Sequence, residues 1–507
     1  MGLHALTHPP LDDWNRQLSE LVHPARWVNP EPASKYNLVV IGAGAAGLVI
    51  ASVAVGLGAR VALVERDMMG GDCLNFGCVP SKALLRAARA LAEVRDAARF
   101  GIEVPPGVRV NFAAVMERMR KLRAELSRAD SAERFSKLGV DVFVGDGRFI
   151  APDVVEVDGK RLRFRRAAIA TGARAAAPPI PGLAEAGYLT NETVFSLTEL
   201  PRRIAVIGGG PLGCELAQAF RRFGAEVTLL EAEASILPRK DFAAVQFLER
   251  AMVRDGVEVA TGCRIVEVSR RGQERILIVE REDERRELAV DEILVGAGRV
   301  PAVEGLNLEV AMIEYDRQRG ITVDDRLRTT NPLVYAAGDA VSPYKFTHVA
   351  DAHARIVIRN ALFFGRARAS ALTIPWCTYT DPEIAHTGID EREAARRGIK
   401  VTAFTQELAE TDRALLDSET DGFVKVIVRE GTDEILGATI VASHAGEMIT
   451  ELTAAIDGSI GLGRLGEVIH PYPTQADAIR RAALAYTRTR LTPGVAALMR
   501  RWFAMTR

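Results

Sequence analysis

One hydrophobic pattern occurs twice in this chain. Leu38-Val39-Val40-Ile41 and Ile204-Ala205-Val206-Ile207 are short unbroken apolar runs, each leading into glycines and then a helical stretch. Runs of this length, bounded by glycine, predict buried strands of a parallel sheet. A further run follows each helix, Val61-Ala62-Leu63-Val64 in one case and Val227-Thr228-Leu229-Leu230 in the other. Two strand–turn–helix–strand units and an α/β fold are therefore expected. Leu38 to Ala59 carries no charged residue and is long enough to cross a bilayer, but Gly42, Gly44, Gly47, Gly56 and Gly58 punctuate it as a turn and helix would require. Farther on the period shortens: Gly422 to Val428 and Glu434 to Val441 alternate, predicting strands of an antiparallel sheet. Leu11 to Leu21 predicts a short amphipathic helix. Thr492-Pro493 opens another, with Val495, Leu498, Met499, Trp502 and Phe503 at helical spacing.

Gly42, Gly44 and Gly47 form a G-x-G-x-x-G turn, with Glu65 closing the next strand. Gly208, Gly210, Gly213 and Glu231 repeat it at a constant offset of 166 residues, and Gly58 and Gly224 keep the same offset. Such glycines let backbone N–H groups approach a pyrophosphate at a helix N-terminus, and the acidic residue accepts hydrogen bonds from a ribose. One motif is weak; two in matching context imply two bound dinucleotides.

Composition narrows the class. A chain of 507 residues should hold about three or four domains. The 65 basic and 66 acidic residues nearly cancel, which offers no electrostatic case for nucleic-acid binding. The stretch MGLHALTHPPLDDWNRQL lacks the basic start and apolar run of a secretory signal, so a reducing, cytoplasmic setting is expected.

The chemistry concentrates in GGDCLNFGCVPSK, Gly70 to Lys82, where Cys73 and Cys78 stand on a glycine-rich turn before an alanine- and leucine-rich helix. A thiol at a helix N-terminus meets the positive end of the macrodipole and its pKa falls. Paired thiols of this kind cycle between dithiol and disulfide. A zinc site is disfavoured, because the other three of the five cysteines (Cys214, Cys263, Cys377) are scattered and no His follows at ligand spacing. No metal site is expected, and a structural staple is unneeded in a chain this long.

Together these motifs resemble those of the flavoprotein disulfide reductases, the family of dihydrolipoamide dehydrogenase, glutathione reductase and mercuric reductase. The resemblance covers about Tyr36 to Thr489. It extends to Ala170-Thr171-Gly172-Ala173, to Gly296-Ala297-Gly298-Arg299-Val300-Pro301, to Tyr335-Ala336-Ala337-Gly338-Asp339, and to Pro375–Gly388 with Thr380-Asp381-Pro382-Glu383. It implies two Rossmann-like domains, one for FAD and one for NAD(P)H, and a C-terminal α+β dimerisation domain with an antiparallel sheet. The expected divisions are an extension at 1–35, an FAD-binding domain at 36–180, an NAD(P)H-binding domain at 181–298, a central segment at 299–370, a dimerisation domain at 371–489 and a basic helix at 490–507.

The resemblance also implies roles. FAD would be held by Gly42, Gly44, Gly47, Glu65, Gly71, Lys82, Thr171, Gly172, Asp339, Thr347 and His348. The nicotinamide cofactor would lie on Gly208, Gly210, Gly213, Glu231 and Gly298. Glu231 welcomes a free 2′-hydroxyl and a second acid, Glu233, follows it, so NADH is favoured; Arg239 and Lys240 keep NADPH open. Cys78 matches the thiol facing the flavin and Cys73 the thiol that meets the substrate. Lys82 and Glu215 match an ion pair beside the flavin.

The departure lies in Ile469-His470-Pro471-Tyr472-Pro473-Thr474-Gln475-Ala476-Asp477. In the resembling enzymes the partner subunit contributes a His here, which acts as general acid/base for thiol exchange, and a Glu a little later. Tyr472 occupies the His position and Asp477 the Glu position. A phenol with a pKa of about 10 is a poorer proton shuttle than an imidazole at about 6.5. His470, two residues earlier, is the other candidate, displaced by several ångströms in an extended segment. Mercuric reductase is similar in carrying a Tyr here, and soft Hg(II) needs no proton shuttle. Its usual C-terminal cysteine pair is missing, since no cysteine follows Cys377. The expectation is a homodimeric NADH-dependent reductase of a small-molecule or protein disulfide. Mercuric reductase, dihydrolipoamide dehydrogenase and a slow regulatory flavoprotein are the alternatives. From Ala478 onward there are seven arginines and no acidic residue, so the last helix is read as docked on the dimer surface or, alternatively, lying on anionic lipid.

Overall fold

Tyr36–Ile41, Val61–Glu65 and Asp141–Val144 lie parallel in one sheet, with Val39 beside Ala62 and Leu63 beside Val142. The long strand Lys160–Ile169 completes it on the other side of Tyr36–Ile41. This computed structural model describes residues 9–282 and 284–507, so the first eight residues of the expected extension lie outside the described residues. Lys160–Ile169 explains itself from its sequence. Its first half alternates buried and exposed positions and pairs antiparallel with Val154–Val157. Its last three residues, Ala167-Ala168-Ile169, are buried throughout and pair parallel with Tyr36–Ile41 and Val334–Ala336.

The amphipathic helix near the amino terminus runs from Asp13 to Val22, starting two residues later than expected. The reason is the cap: Asp12 stands before the helix and its carboxylate accepts the Asn15 N–H at 2.8 Å, leaving Leu11 exposed. Leu18 and Val22 are buried in the core of the first sheet's helical layer. The following segment is pinned along the edge strand, with Trp27 donating to Val142 O (3.0 Å) and Asn29 bonded to Val144 through both O and N. An exposed edge is thereby covered.

Arg203–Ile207 pairs in parallel with Glu226–Leu230 and Glu292–Val295, forming the second dinucleotide unit. Arg264–Arg271, Glu274–Arg281 and Glu284–Val290 add an antiparallel sheet. The described chain divides into two compact units. The first takes residues up to Glu93, Pro105–Ala232 and Gly262–Leu372; the second takes Val94–Val104, Glu233–Thr261 and Thr373–Arg507. The second unit carries an antiparallel sheet in the order Trp376–Thr378, Glu383–Gly388, Ile435–Ala442, Phe423–Arg429, Val401–Glu407. Helices Ala445–Asp457 and Asp477–Thr489 bury Leu452, Ile479 and Ala482 in the same core as Val424 and Ile440 of the sheet.

The last helix, Pro493–Met505, is capped by Thr492 and buries none of its residues; Leu498, Trp502 and Phe503 are exposed. Among the described residues no helix is long and apolar enough to cross a membrane, and Leu38 to Ala59 resolves into strand, turn and the helix Ala45–Gly56.

Candidate active site

The two glycine turns show which glycines the protein itself requires. Gly42 (φ +100°) would place a Cβ 2.4 Å from Ala170 O, and Gly47 one 1.8 Å from Gly42 O. In the second turn Gly208 (φ +107°) crowds Gly296, and a Cβ on Gly213 would lie 1.9 Å from Gly208 O. The middle glycines differ. Around Gly44 the nearest atom to a Cβ is Gly71 Cα at 3.7 Å, and around Gly210 it is Gly296 O at 3.9 Å. Both have ordinary negative φ, and neither caps its helix with a side chain. Space and uncapped N–H groups remain at each helix start, the arrangement a pyrophosphate needs.

Each strand-end glutamate is tied to its own turn. Glu65 accepts from Ala43 N at 2.7 Å and Asp67 N at 2.8 Å, and burial raises its pKa. Glu231 accepts from Gly209 N at 2.6 Å.

Gly70 and Gly71, both at positive φ, open the cysteine segment. A Cβ on Gly71 would come within 2.7 Å of Gly44 Cα, so the cysteine segment packs backbone to backbone on the first dinucleotide turn. Cys73 was expected on a turn; it lies in a one-turn helix of its own, Gly71–Asn75, started by those glycines. Cys78 is the first residue of the helix Cys78–Asp96. The two thiols stand beside each other, and their contact splits the ionisation between them. Contact with Cys73 brings Cys78 down to about 6, with Thr347 and Lys82 assisting. The same contact, with burial, pushes the Cys73 thiol up. Thr347 Oγ1 stands 3.3 Å from Cys78 Sγ at the first turn of the helix Thr347–Phe363. The sequence had marked that threonine only for the cofactor. Cys214 is buried, and burial raises its pKa; no thiolate forms there.

Lys82 Nζ donates to Glu215 Oε2 at 2.9 Å; the carboxylate side chain is only 4% exposed. Removing the lysine would take away the cation facing a buried charge. Asp339 is half-buried, and that partial burial raises its pKa against the pull of Arg299 and Lys345. Thr171 donates to Ala302 O at 2.7 Å, Gly172 (φ +73°) accepts from Ala302 N, and Gly298 (φ +134°) lies in the same return segment. His348 stacks on Phe346 at 5.3 Å.

In the second unit one network joins Tyr472 to Asp477 through Asp412 and Arg481, while His470 pairs with Glu451. Tyr472 donates to Asp412 Oδ2 at 2.9 Å, and that bond raises its pKa. Asp477 is held by Arg480 (2.8 Å) and Arg481 (2.7 Å), which overcome partial burial and lower its pKa. His470 pairs with Glu451 at 2.8 Å, its side chain 5% exposed. Asp412 and Glu451 escaped the sequence analysis because each lies far along the chain from its partner, and an isolated acid on a helix carries no local signal.

A family model described as pyridine nucleotide-disulphide oxidoreductase matches residues 36–354, and its dimerisation domain matches 374–483. A mercuric reductase of Bacillus cereus is 33% identical over 459 residues, 90% of this chain and 73% of that protein. A dihydrolipoyl dehydrogenase of Bacillus subtilis is 31% identical, covering 89% of this chain and 98% of that one. Among solved structures, the Cu(II) complex of the HOCl-induced flavoprotein disulfide reductase RclA from Escherichia coli superimposes with a TM-score of 0.78 at 28% identity, over 88% of this chain and 98% of that chain.

Proposed function

Because the chain belongs to the pyridine nucleotide-disulphide oxidoreductases, FAD-dependent and NAD(P)H-linked enzymes working through a cysteine pair, we propose that it takes reducing equivalents from NADH and delivers them to a disulfide or thiol-bound acceptor at Cys73–Cys78. The observation that carries this reading is the thiol pair itself: Cys73 and Cys78 stand beside each other, Cys78 at the start of a helix within reach of Thr347 and Lys82, and those contacts lower its pKa. A thiolate is the attacking species in exchange, so an ionised Cys78 can displace the reduced acceptor from a mixed disulfide on Cys73 and reclose the pair.

The two turns fit two dinucleotides, since Gly44 and Gly210 keep open a space that packing within the protein leaves unfilled. FAD, when bound, supplies the electron relay between the reduced nicotinamide and the disulfide. Gly42, Gly44, Gly47 and Glu65 would hold its adenosine end, with Gly71, Thr171, Gly172, Asp339, Thr347 and His348 along the rest. Lys82, held by Glu215, fixes a cation beside the thiols. Gly208, Gly210, Gly213, Glu231 and Gly298 would take the nicotinamide cofactor.

Two features support NADH over NADPH. Glu231 presents a carboxylate, which repels a 2′-phosphate. Lys240, one of the two cations following it in sequence, is withdrawn: its Nζ lies 3.2 Å from the centre of the Trp376 ring, and burial lowers its pKa to about 8.

The dimerisation domain supports a homodimer, in which the Tyr472 segment would serve the partner's thiols. Tyr472 donates to Asp412 and that bond raises its pKa, so the phenol holds its proton. That favours an acceptor needing little general-acid help, and Hg(II) as substrate is the second reading. The proposed setting is the reducing cytoplasm.

Steady-state oxidation of NADH and NADPH by purified holoenzyme, against lipoamide, glutathione disulfide, Hg(II) in excess thiol, quinones and oxygen, tests both. NADH should exceed NADPH by roughly tenfold or more, and Cys73→Ser should abolish turnover of the best acceptor. Parity of the nucleotides removes the NADH assignment; full turnover by Cys73→Ser removes the thiol route.

A further inference from the structure

The turn between the cysteines is closed by one carboxylate that touches it at both ends. Asp72 immediately precedes Cys73, and its backbone O accepts the Phe76 N–H at 2.8 Å. Its Oδ1 accepts from Asn191 Nδ2 at 2.9 Å, and the same nitrogen lies 3.3 Å from Phe76 O. Its Oδ2 lies where a Cβ on Gly77 would come within 2.8 Å, against the residue before Cys78. Arg299 Nη1 stands 3.1 Å from that same oxygen. The guanidinium is anchored by Nη2 on Ala173 O at 2.8 Å, and its Nε is 3.7 Å from Asp339 Oδ2. One cation thus stands between two acids, and Asn191 lies outside the pattern from which the family was read.

A carboxylate beside a dithiol disfavours the thiolate, and a cation beside that carboxylate offsets it. Asp72 raises the pKa of both cysteines. The other groups facing the pair are Lys82 from the helix of Cys78 and the neutral Thr347 hydroxyl from the helix Thr347–Phe363. Lys82 is engaged by Glu215, so the charge on Asp72 is answered by Arg299.

We propose that Asp72 and Arg299 form a charge clamp on the cysteine turn, holding its ends together and setting how readily its thiols ionise. Both are positioning residues: they act through Cys73 and Cys78. The inference rests on the redox role of the pair and is independent of which nucleotide or acceptor the enzyme uses.

The test is the pH dependence of iodoacetamide alkylation, read cysteine by cysteine by mass spectrometry on holoenzyme reduced with dithiothreitol and desalted under argon. Chemical reduction separates this test from the NADH assignment. Asp72→Asn keeps the acceptor for Asn191 and removes the charge; the midpoint for Cys78 should fall by about half a pH unit. Arg299→Gln leaves the carboxylate unanswered, and the midpoint should rise by about one pH unit. In the Asp72→Asn background, Arg299→Gln should have less than half its single effect. An unmoved or raised midpoint in Asp72→Asn overturns the clamp, as does an Arg299→Gln effect undiminished by Asp72→Asn. Should Arg299→Gln fail to fold, the direction of the Asp72→Asn change alone decides.

Discussion

The two dinucleotide turns descend to the same geometry from the same spacing, yet the chain uses them differently. In both, the first and third glycines are demanded by backbone carbonyls of the protein, and the middle one is demanded by nothing within it. Beyond that they diverge. The first turn is a platform: Gly71 lies on Gly44, so the cysteine helix grows from the surface of the turn, and Glu65 is half-buried with two backbone N–H partners. The second turn is a lever, because its helix carries Glu215 to Lys82. The position 166 residues before Glu215 is Val49, which packs against the core of the first sheet. One copy of the unit spends that helix position on packing, the other on charge. Duplication supplied the cradle; a single carboxylate in the second copy tied it to the thiols.

The sharpest way to break this comparison is at the glycines. Gly47→Ala and Gly213→Ala place a Cβ under 2 Å from a carbonyl oxygen and should cost about 4 kcal/mol or more, read as insoluble or unfolded protein. Gly44→Ala and Gly210→Ala should instead keep the fold by circular dichroism. The first should emerge from purification without yellow flavin, and the second should keep flavin but show NADH binding weakened by tenfold or more. Equal effects at middle and outer positions would dissolve the distinction.

Next in size is the lever. Lys82→Met takes a cation from beside the buried Glu215 carboxylate and should lower stability by about 3 kcal/mol in denaturant titration. Glu215→Val, which copies the first turn, should leave stability closer to wild type while reducing turnover by roughly a hundredfold. Equal turnover in Glu215→Val and wild type would mean that the ion pair has no part in the reaction.

A smaller effect concerns the thiols on the platform. Alkylation of Cys78 in reduced enzyme should rise through a midpoint near pH 6, while Cys73 stays unreactive until alkaline pH. Thr347→Val removes a hydroxyl that favours the Cys78 thiolate, so its midpoint should move up, by about half a pH unit. A downward move would contradict the assigned contact. The smallest effect is expected at the nucleotide: Glu231→Gln should cut the NADH-to-NADPH preference a few-fold, whereas Lys240→Ala, beneath Trp376, should leave it unchanged.

How much of this was legible in the sequence follows from how local each signal is. Both glycine turns, their strands and the paired strands near Gly422 and Glu434 are encoded within about thirty residues each, by apolar runs and glycine spacing. The cysteine helix start was readable for the same reason. Residues joined only by the fold were not: Asn191 and Arg299 reach Asp72 from more than a hundred residues away, and Asp412 and Glu451 reach Tyr472 and His470 from 60 and 19 residues away. The short helix holding Cys73 was hidden because two glycines, ordinarily helix breakers, here supply the positive φ that starts it. The amino-terminal segment looked like an appendage, and only the burial of Leu18 and Val22 shows that it closes the first core.

Anaerobic addition of NADH to oxidised holoenzyme, followed by trapping and counting of new thiols by mass spectrometry, tests the central claim most directly. Two new thiols per chain, located at Cys73 and Cys78 and absent without NADH, are the predicted result. NADH oxidation proceeding with no new thiol at either position would contradict it.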